Sequence, residues 1–168
     1  MYADDTTFFT SGHNVKELNI RLNKEMENVS HWCNVNKMVI NTKKTKSLLI
    51  TTRFKHNQII ENGECLTVLL DNEQLKQVHY EKLLGVWIDD KLTWDTHIKE
   101  ICKVISSRLA LLRRIRPFLD IASCKLYYNA YVLPSIDYCS LIWSSCAKHN
   151  LDRIEKTSKI CSSNYIAM

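Results

Sequence analysis

Tyr2-Ala3-Asp4-Asp5-Thr6-Thr7-Phe8-Phe9 sets two adjacent carboxylates and two threonines between apolar flanks. Asp favours turns and aromatic residues favour strands, so the stretch predicts a short hairpin turning at Asp4-Asp5. Adjacent carboxylates in a tight turn repel one another and are relieved by a cation, and hard oxygen ligands suit Mg²⁺. A divalent pair held there can bridge a triphosphate and a 3′-hydroxyl, lower the pKa of the attacking alcohol and neutralise the departing pyrophosphate. A bare Asp-Asp pair also has a plainer reading, because Asp is common in turns and Asp89-Asp90 repeats the pair. The four-residue string 2–5 is more specific, expected by chance in on the order of one chain in a thousand.

Working outward, Ser11-Gly12-His13 ends the hairpin, and Asn14 is placed to cap a helix with Glu17 answering three residues on. At about 100° per residue, Val15, Leu18, Leu22, Met26, Val29 and Cys33 fall within an arc of about 80°. This predicts an amphipathic helix to about residue 33 with that stripe in the core. Residues 38–41 and 47–52 read as strands around the polar Thr42-Lys43-Lys44-Thr45, 66–70 as a β-rich run and 83–88 as a short strand. A loop or hairpin arm is expected over 54–63.

Past Asp89-Asp90 the apolar period becomes helical: Thr93 is a candidate cap, and Ile98, Ile101, Ile105, Leu109, Leu112 and Ile115 share one side. Lys99, Lys103, Arg113 and Arg114 occupy about 100° of the opposite side, whereas Arg108 and Arg116 project toward the apolar one. Pro117 stops this helix, Asp120 is placed to cap the next, Pro134 interrupts that one, and a last helix is expected over about 150–160. The fold class is therefore α+β, with a mixed part over 1–90 and an all-helical part over 91–168.

The 168 residues, 45% hydrophobic and 24% charged with 3 Gly and 2 Pro, fit one domain or two small ones and exclude disordered, collagen-like and low-complexity classes. No apolar run approaches the ~18 residues of a membrane span, and the first residues lack the basic-then-apolar pattern of a secretion signal. An intracellular location is expected. The 7 cysteines include no C-x-x-C pair and fit neither a disulfide framework nor a zinc ribbon, and Cys139, Cys146, His149 and Cys161 lack finger spacing. The net charge of +5 is unevenly spread: residues 37–55 carry +6 with no acid, residues 95–117 carry +4, and the remainder carries −5. Two basic segments on an otherwise acidic chain point to a polyanion such as nucleic acid, although lysines that merely keep two faces solvated give the same count.

Several short strings also follow one another in a telling order. After Tyr2-Ala3-Asp4-Asp5, the helix ends in Trp32-Cys33 and leads through Asn36-Lys37 to Ile40-Asn41 and Asn41-Thr42-Lys43-Lys44-Thr45-Lys46. Leu84-Gly85-Val86-Trp87-Ile88 comes next, then Leu92-Thr93-Trp94 with His97-Ile98, then Tyr138-Cys139-Ser140 with Trp143. This order resembles that of reverse transcriptases from non-LTR (LINE-type, jockey-like) retrotransposons, and it runs over nearly the whole chain. In that family the first string is the acidic catalytic motif and the second holds an N-x-x-K-T segment. The third is the turn and strand that grip the primer end, and the fourth begins the thumb-like helix.

The resemblance implies that Asp4 and Asp5 are metal-site carboxylates for Mg²⁺, or Mn²⁺ in its place, with Tyr2 and Ala3 beside the primer terminus. Lys44 stands where the family has a suggested proton donor to pyrophosphate. Leu84, Gly85 and Val86 would place the primer strand, and Lys99, Lys103, Arg113 and Arg114 would touch the duplex backbone. The implied partners are an RNA template, a DNA primer and a dNTP, in the cytoplasm and nucleus expected of a retrotransposon protein. Each role has a plainer competitor: Lys44 as one member of a solvated basic loop, Gly85 as a turn or packing glycine, and Trp32, Trp87, Trp94, Trp143, Tyr127, Tyr128 and Tyr131 as packed aromatics.

In the family a further metal-ligating Asp comes from a strand well before the acidic motif, whereas here Met1 immediately precedes Tyr2. The expectation is therefore a C-terminal fragment of a polymerase domain, a partial palm over 1–90 and a thumb-like or connecting region over 91–168, that does not polymerise DNA alone. The rival expectations are a non-catalytic nucleic-acid-binding remnant and a truncated element with no selected function.

Overall fold

A computed structural model describes residues 6–161 of the chain. Tyr2, Ala3, Asp4 and Asp5, and with them the turn of the expected acidic hairpin, lie outside the described residues. Residues 6–12 carry no regular secondary structure, so Phe8-Phe9 are not the strand their composition predicts, and Phe9 stands 94% exposed. The chain divides into two compact units between Tyr80 and Glu81.

In the first unit, helix α1 (Val15–Val35) starts as expected: Asn14 Oδ1 accepts from Glu17 N–H at 2.8 Å. Glu17 answers one residue further back, accepting from His13 N–H at 2.9 Å. That bond, with Arg21 4 residues on at 2.7 Å, holds the Glu17 carboxyl below its ordinary pKa despite its partial desolvation. The helix ends with Lys37 at φ +56 and Met38 N–H returning to Cys33 carbonyl at 2.9 Å, a closure that satisfies carbonyls left over by the last turn. This closure carries the chain off the helix, and residues 38–41 form no strand.

Three of the six stripe residues, Val15, Met26 and Cys33, are buried, and Met26 joins Leu66, Val68, Leu70 and Leu75 in the core of this unit. Leu66, Val68 and Leu70 alternate with more exposed neighbours, the period of a strand buried on one face. Strand β2 (Leu69–Leu70) pairs antiparallel with β3 (Glu73–Gln74) across Asp71-Asn72, both at positive φ, which is the two-residue turn that matches strand twist. Strand β1 (Lys46–Leu48) pairs in parallel with β4 (Lys76–Val78), Ser47 opposite Gln77. Residues 54–63, expected as a loop or hairpin arm, are mostly helix α2 (Arg53–Glu61), capped by Thr52 Oγ1 at 3.4 Å. This helix buries none of its residues, so it has no apolar stripe to announce it.

In the second unit the run 83–88 is a hairpin and not a single strand: β5 (Tyr80–Leu83) and β6 (Val86–Asp89) are joined by Leu84-Gly85. Helix α3 (Asp95–Ile115) then supplies the core face read from its sequence, with Ile98, Ile101, Ile105, Leu109 and Leu112 buried. A 3₁₀ turn follows at Pro117, and α4 (Ile121–Tyr127) is capped by Asp120 Oδ1, which accepts from Ser123 N–H at 2.9 Å. The hydrogen bonds from Ser123 hold the Asp120 carboxyl below its usual range.

Pro134 does not break the helix as its sequence position predicts. The helical path continues through a π turn over Tyr128–Val132 into α5 (Leu133–Asp137), since a proline has no N–H to donate and the widened turn accommodates it. The short α6 (Ser140–Trp143) and α7 (Lys148–Cys161) complete the unit. Val86, Trp94, Ile98, Ile105, Val132, Trp143 and Ile154 form one core drawn from β6, α3, the π turn, α6 and α7. Trp94 and Trp143 are thus the packed aromatics expected, whereas Trp32 of the first unit is exposed.

Candidate nucleic-acid interface

The hairpin β5–β6 turns within two residues, and such a connection joins only antiparallel strands. Leu84 takes φ +46 and Gly85 φ +88, the left-handed pair that a tight hairpin needs. Glycine accepts this freely, but a leucine in that region costs roughly 1–2 kcal/mol and must be held there. Leu84 is 78% exposed, so the strained residue is also the tip of the hairpin. Val86, expected beside them on the primer strand, points the other way: it is buried in the core, and only Leu84 and Gly85 of the three are presented at the surface.

The start of α3 is built by a residue that the sequence pattern leaves without a role. One carboxylate oxygen of Asp89 accepts from Lys91 N–H at 3.1 Å and Thr93 N–H at 2.9 Å, and the other accepts from Trp94 N–H at 2.8 Å. These bonds hold a segment in which Leu92 and Trp94 both have positive φ. Thr93, expected as the cap, makes only a long 3.5 Å contact to Asp95 N–H, because Trp94 in the left-handed region carries the helix start away from it. Asn150 of α7 is buried and donates to Asp95 Oδ1 at 2.7 Å. His97, also buried, accepts from Trp87 N–H through Nδ1 at 3.4 Å and lies edge-on to Trp143, and burial lowers its pKa.

On the outer side of α3, Lys99, Lys103, Arg113 and Arg114 are all exposed, as the wheel predicts. From 99 to 114 the face extends about 22 Å along the axis. Glu100 approaches Lys103 at 3.8 Å, an exposed contact of little energetic consequence that leaves the face strongly positive. Arg108 is not part of it: its guanidinium donates to the Tyr131 carbonyl and Ser135 Oγ, while Tyr127 OH donates to Arg108 carbonyl at 3.2 Å and stacks on Tyr131. Lys82 of β5 lies 6.0 Å over the Trp87 ring, adding a cation to the hairpin.

Lys44 belongs to the first unit. Asn41 closes its turn, accepting from Lys44 N–H through Oδ1 at 3.1 Å and from Thr45 N–H and Oγ1 through its carbonyl at 3.0 and 2.9 Å. The N-x-x-K-T string is therefore a turn stapled by its asparagine, with Lys43 and Lys44 exposed.

Two asparagines of α1 are not singled out by any sequence signal. Asn19 accepts from Thr67 N–H at 2.9 Å and donates to Cys65 carbonyl at 3.2 Å, and Asn23 accepts from Leu69 N–H at 2.7 Å and donates to Thr67 carbonyl at 3.0 Å. Spaced one turn apart, they hydrogen-bond the extended backbone as a neighbouring strand would. Their partners lie 44–48 residues away, beyond any local pattern.

No family model and no solved structure matches the chain. Among curated proteins, it is 24% identical over 156 residues, 91% of its length, to "RNA-directed DNA polymerase from mobile element jockey" of Drosophila melanogaster. It is 26% identical over 92% of its length to "Probable RNA-directed DNA polymerase from transposon BS" of the same fly. It is 22% identical over 90% of its length to "Retrovirus-related Pol polyprotein from type-1 retrotransposable element R1 2" of Nasonia vitripennis. The chain spans 16%, 17% and 37% of those proteins in turn. Along nine-tenths of its length the chain is thus similar to proteins of three kinds of mobile element, two of them named as RNA-directed DNA polymerases.

Proposed function

We propose that this stretch forms the part of a reverse transcriptase that follows the acidic motif. In this reading it supplies the end of the palm, a hairpin against which the primer terminus rests, and a helical thumb whose first helix lies along the primer–template duplex. The observation that carries the reading is the combination, within one unit, of an exposed two-residue tip, Leu84-Gly85, with a helix whose outer face bears Lys99, Lys103, Arg113 and Arg114. A rigid helix with cations spread over several turns suits successive phosphates of one strand, and it reads no base. The substrates are an RNA template, a DNA primer and a dNTP, as the names of the relatives support.

Asp4 and Asp5 are proposed to hold Mg²⁺ or Mn²⁺, which when bound lowers the pKa of the primer 3′-hydroxyl and neutralises the departing pyrophosphate. Lys44 is proposed to give that pyrophosphate its proton.

The test is fluorescence anisotropy on a DNA primer annealed to an RNA template, from about 50 to about 300 mM salt. Binding is expected to persist in EDTA and in the Asp4→Asn/Asp5→Asn variant. In the quadruple variant K99Q/K103Q/R113Q/R114Q the log–log salt slope should fall by about 3, roughly 0.7–0.9 for each phosphate that is no longer neutralised. An unchanged slope would remove α3 from the interface. Loss of binding on acid substitution or in EDTA would make the metal site, and not the basic face, the holder of the duplex.

A further inference from the structure

We infer that Tyr138 is a positioning residue for the Leu84-Gly85 tip, fixing from the helical layer the turn against which the primer terminus rests. The inference depends on the primer-end reading proposed above. Leu84 occupies the first position of a left-handed two-residue turn, where Asn, Asp or Gly is favoured, so its backbone needs an outside hold. Tyr138 supplies it twice. Its hydroxyl donates to the Leu84 carbonyl at 2.6 Å, and its ring lies where a Cβ on Gly85 would meet Cε1 at 3.3 Å.

Tyr138 is itself anchored. Its N–H donates to Pro134 carbonyl at 3.1 Å, and its carbonyl accepts from Nε1 of Trp143, a core residue only 3% exposed, also at 3.1 Å. Contacts therefore run without a gap from the core through Tyr138 to the hairpin tip. The phenol, ordinarily a donor throughout the neutral range, has its pKa pushed further up by Cys139 beside it. Tyr138 holds one side of a tip whose leucine remains largely open to solvent. A two-residue turn without such a strut belongs among the readily opening parts of a fold, and a seat for a reacting terminus needs the opposite.

The experiment uses the 168-residue chain in EDTA with two probes: a recessed DNA primer on an RNA template, and a duplex closed by loops at both ends so that it has no 3′ terminus. The wild-type chain is expected to prefer the recessed end. Tyr138→Phe, which removes the hydroxyl and keeps the ring, should cut that preference about fivefold or more, leaving affinity for the closed duplex unchanged and lowering the melting midpoint by no more than a few degrees. Leu84→Asn creates Asn-Gly, a sequence that adopts this turn unaided. In that background Tyr138→Phe should cost less than about twofold.

Full retention of the preference by Tyr138→Phe overturns the inference. An equal loss in both backgrounds also overturns it, because Tyr138 would then act on the nucleic acid directly and not through the turn. A wild-type chain without end preference overturns the primer-end reading itself, and the inference with it. Should Tyr138→Phe not fold, the Leu84→Asn background, whose Asn-Gly turn holds unaided, carries the comparison: Leu84→Asn/Tyr138→Phe keeping the preference of Leu84→Asn within about twofold supports the strut, and its loss there overturns it.

Discussion

Asp89 shows how much one side chain can organise when its neighbours are backbone. Its two oxygens take three N–H groups that the positive φ values of Leu92 and Trp94 leave without helical partners. Asp89→Ala strands these donors and should lower stability by about 2–3 kcal/mol, with Asp89→Asn losing less because one acceptor oxygen remains. Equilibrium urea unfolding of the three proteins checks this, and an alanine variant within about 0.5 kcal/mol of wild type would contradict it. The pair Asp89-Asp90 is visible in the sequence but mute, since an Asp a few residues ahead of its partners has the look of any turn acid. His97 adds a pH dependence whose sign follows from burial. Its folded-state pKa lies below the ordinary 6.5, so the unfolded chain takes up a proton at a higher pH than the folded one. The contribution of His97 is therefore fully present above about 6.5 and is lost as pH falls through the lower folded-state value. The melting midpoint should drop between about pH 7 and pH 5, and His97→Gln should flatten that drop. An identical slope in the variant would assign the dependence to other groups.

At the scale of the element, what can be read in advance is what repeats locally. The stripes of α1 and α3 and the basic face of α3 depend only on the angle between residues in one helix, and their burial and exposure follow the wheel. Helix α2 escapes such a reading because it buries no residue and so writes no stripe, and residues 38–41 fail as a strand because a β-rich composition does not name a partner. By composition the hairpin at Leu84-Gly85 reads as one strand because Leu gives no turn signal, and only the resemblance and Gly85 point to a turn there; Tyr138, 54 residues away, donates to the Leu84 carbonyl of that left-handed backbone. The asparagine pair of α1 is the clearest case of a non-local device. Asn23 alone serves Leu69 N–H and Thr67 carbonyl, both on the segment that carries Val68 and Leu70 into the core. Asn23→Ala should therefore destabilise the first unit by about 1–3 kcal/mol and speed amide exchange at Leu69. Asn23→Asp keeps the acceptor for Leu69 N–H but turns an oxygen toward Thr67 carbonyl, so it should not restore full stability. Hydrogen exchange resolved by residue distinguishes this from a general loss, because amides of α3 should keep wild-type protection.

For the whole molecule, the order of motifs is more informative than any element. Agreement with RNA-directed DNA polymerases runs through both units, across the division at Tyr80, while the chain spans no more than 37% of the three relatives described. Among the described residues the groups proposed to handle nucleic acid are cations and a hairpin tip, suited to holding a duplex; the carboxylates proposed to hold metal are Asp4 and Asp5, outside the described residues. Nucleotidyl transfer by a metal pair needs the ions fixed in position as well as attracted, and two adjacent carboxylates supply few of the oxygen ligands that two such ions need. Holding and chemistry should therefore separate in this stretch. Incubated with an RNA template, an annealed DNA primer, dNTPs and Mg²⁺, the 168-residue chain should bind the duplex and leave the primer unextended, with Mn²⁺ making no difference. The decisive readout is primer length on a sequencing gel at protein concentrations well above the dissociation constant, so that every primer is occupied. Extension by even one templated nucleotide, if abolished by Asp4→Asn, would mean that these residues assemble a working metal site by themselves, and the proposed division between holding and chemistry would fall.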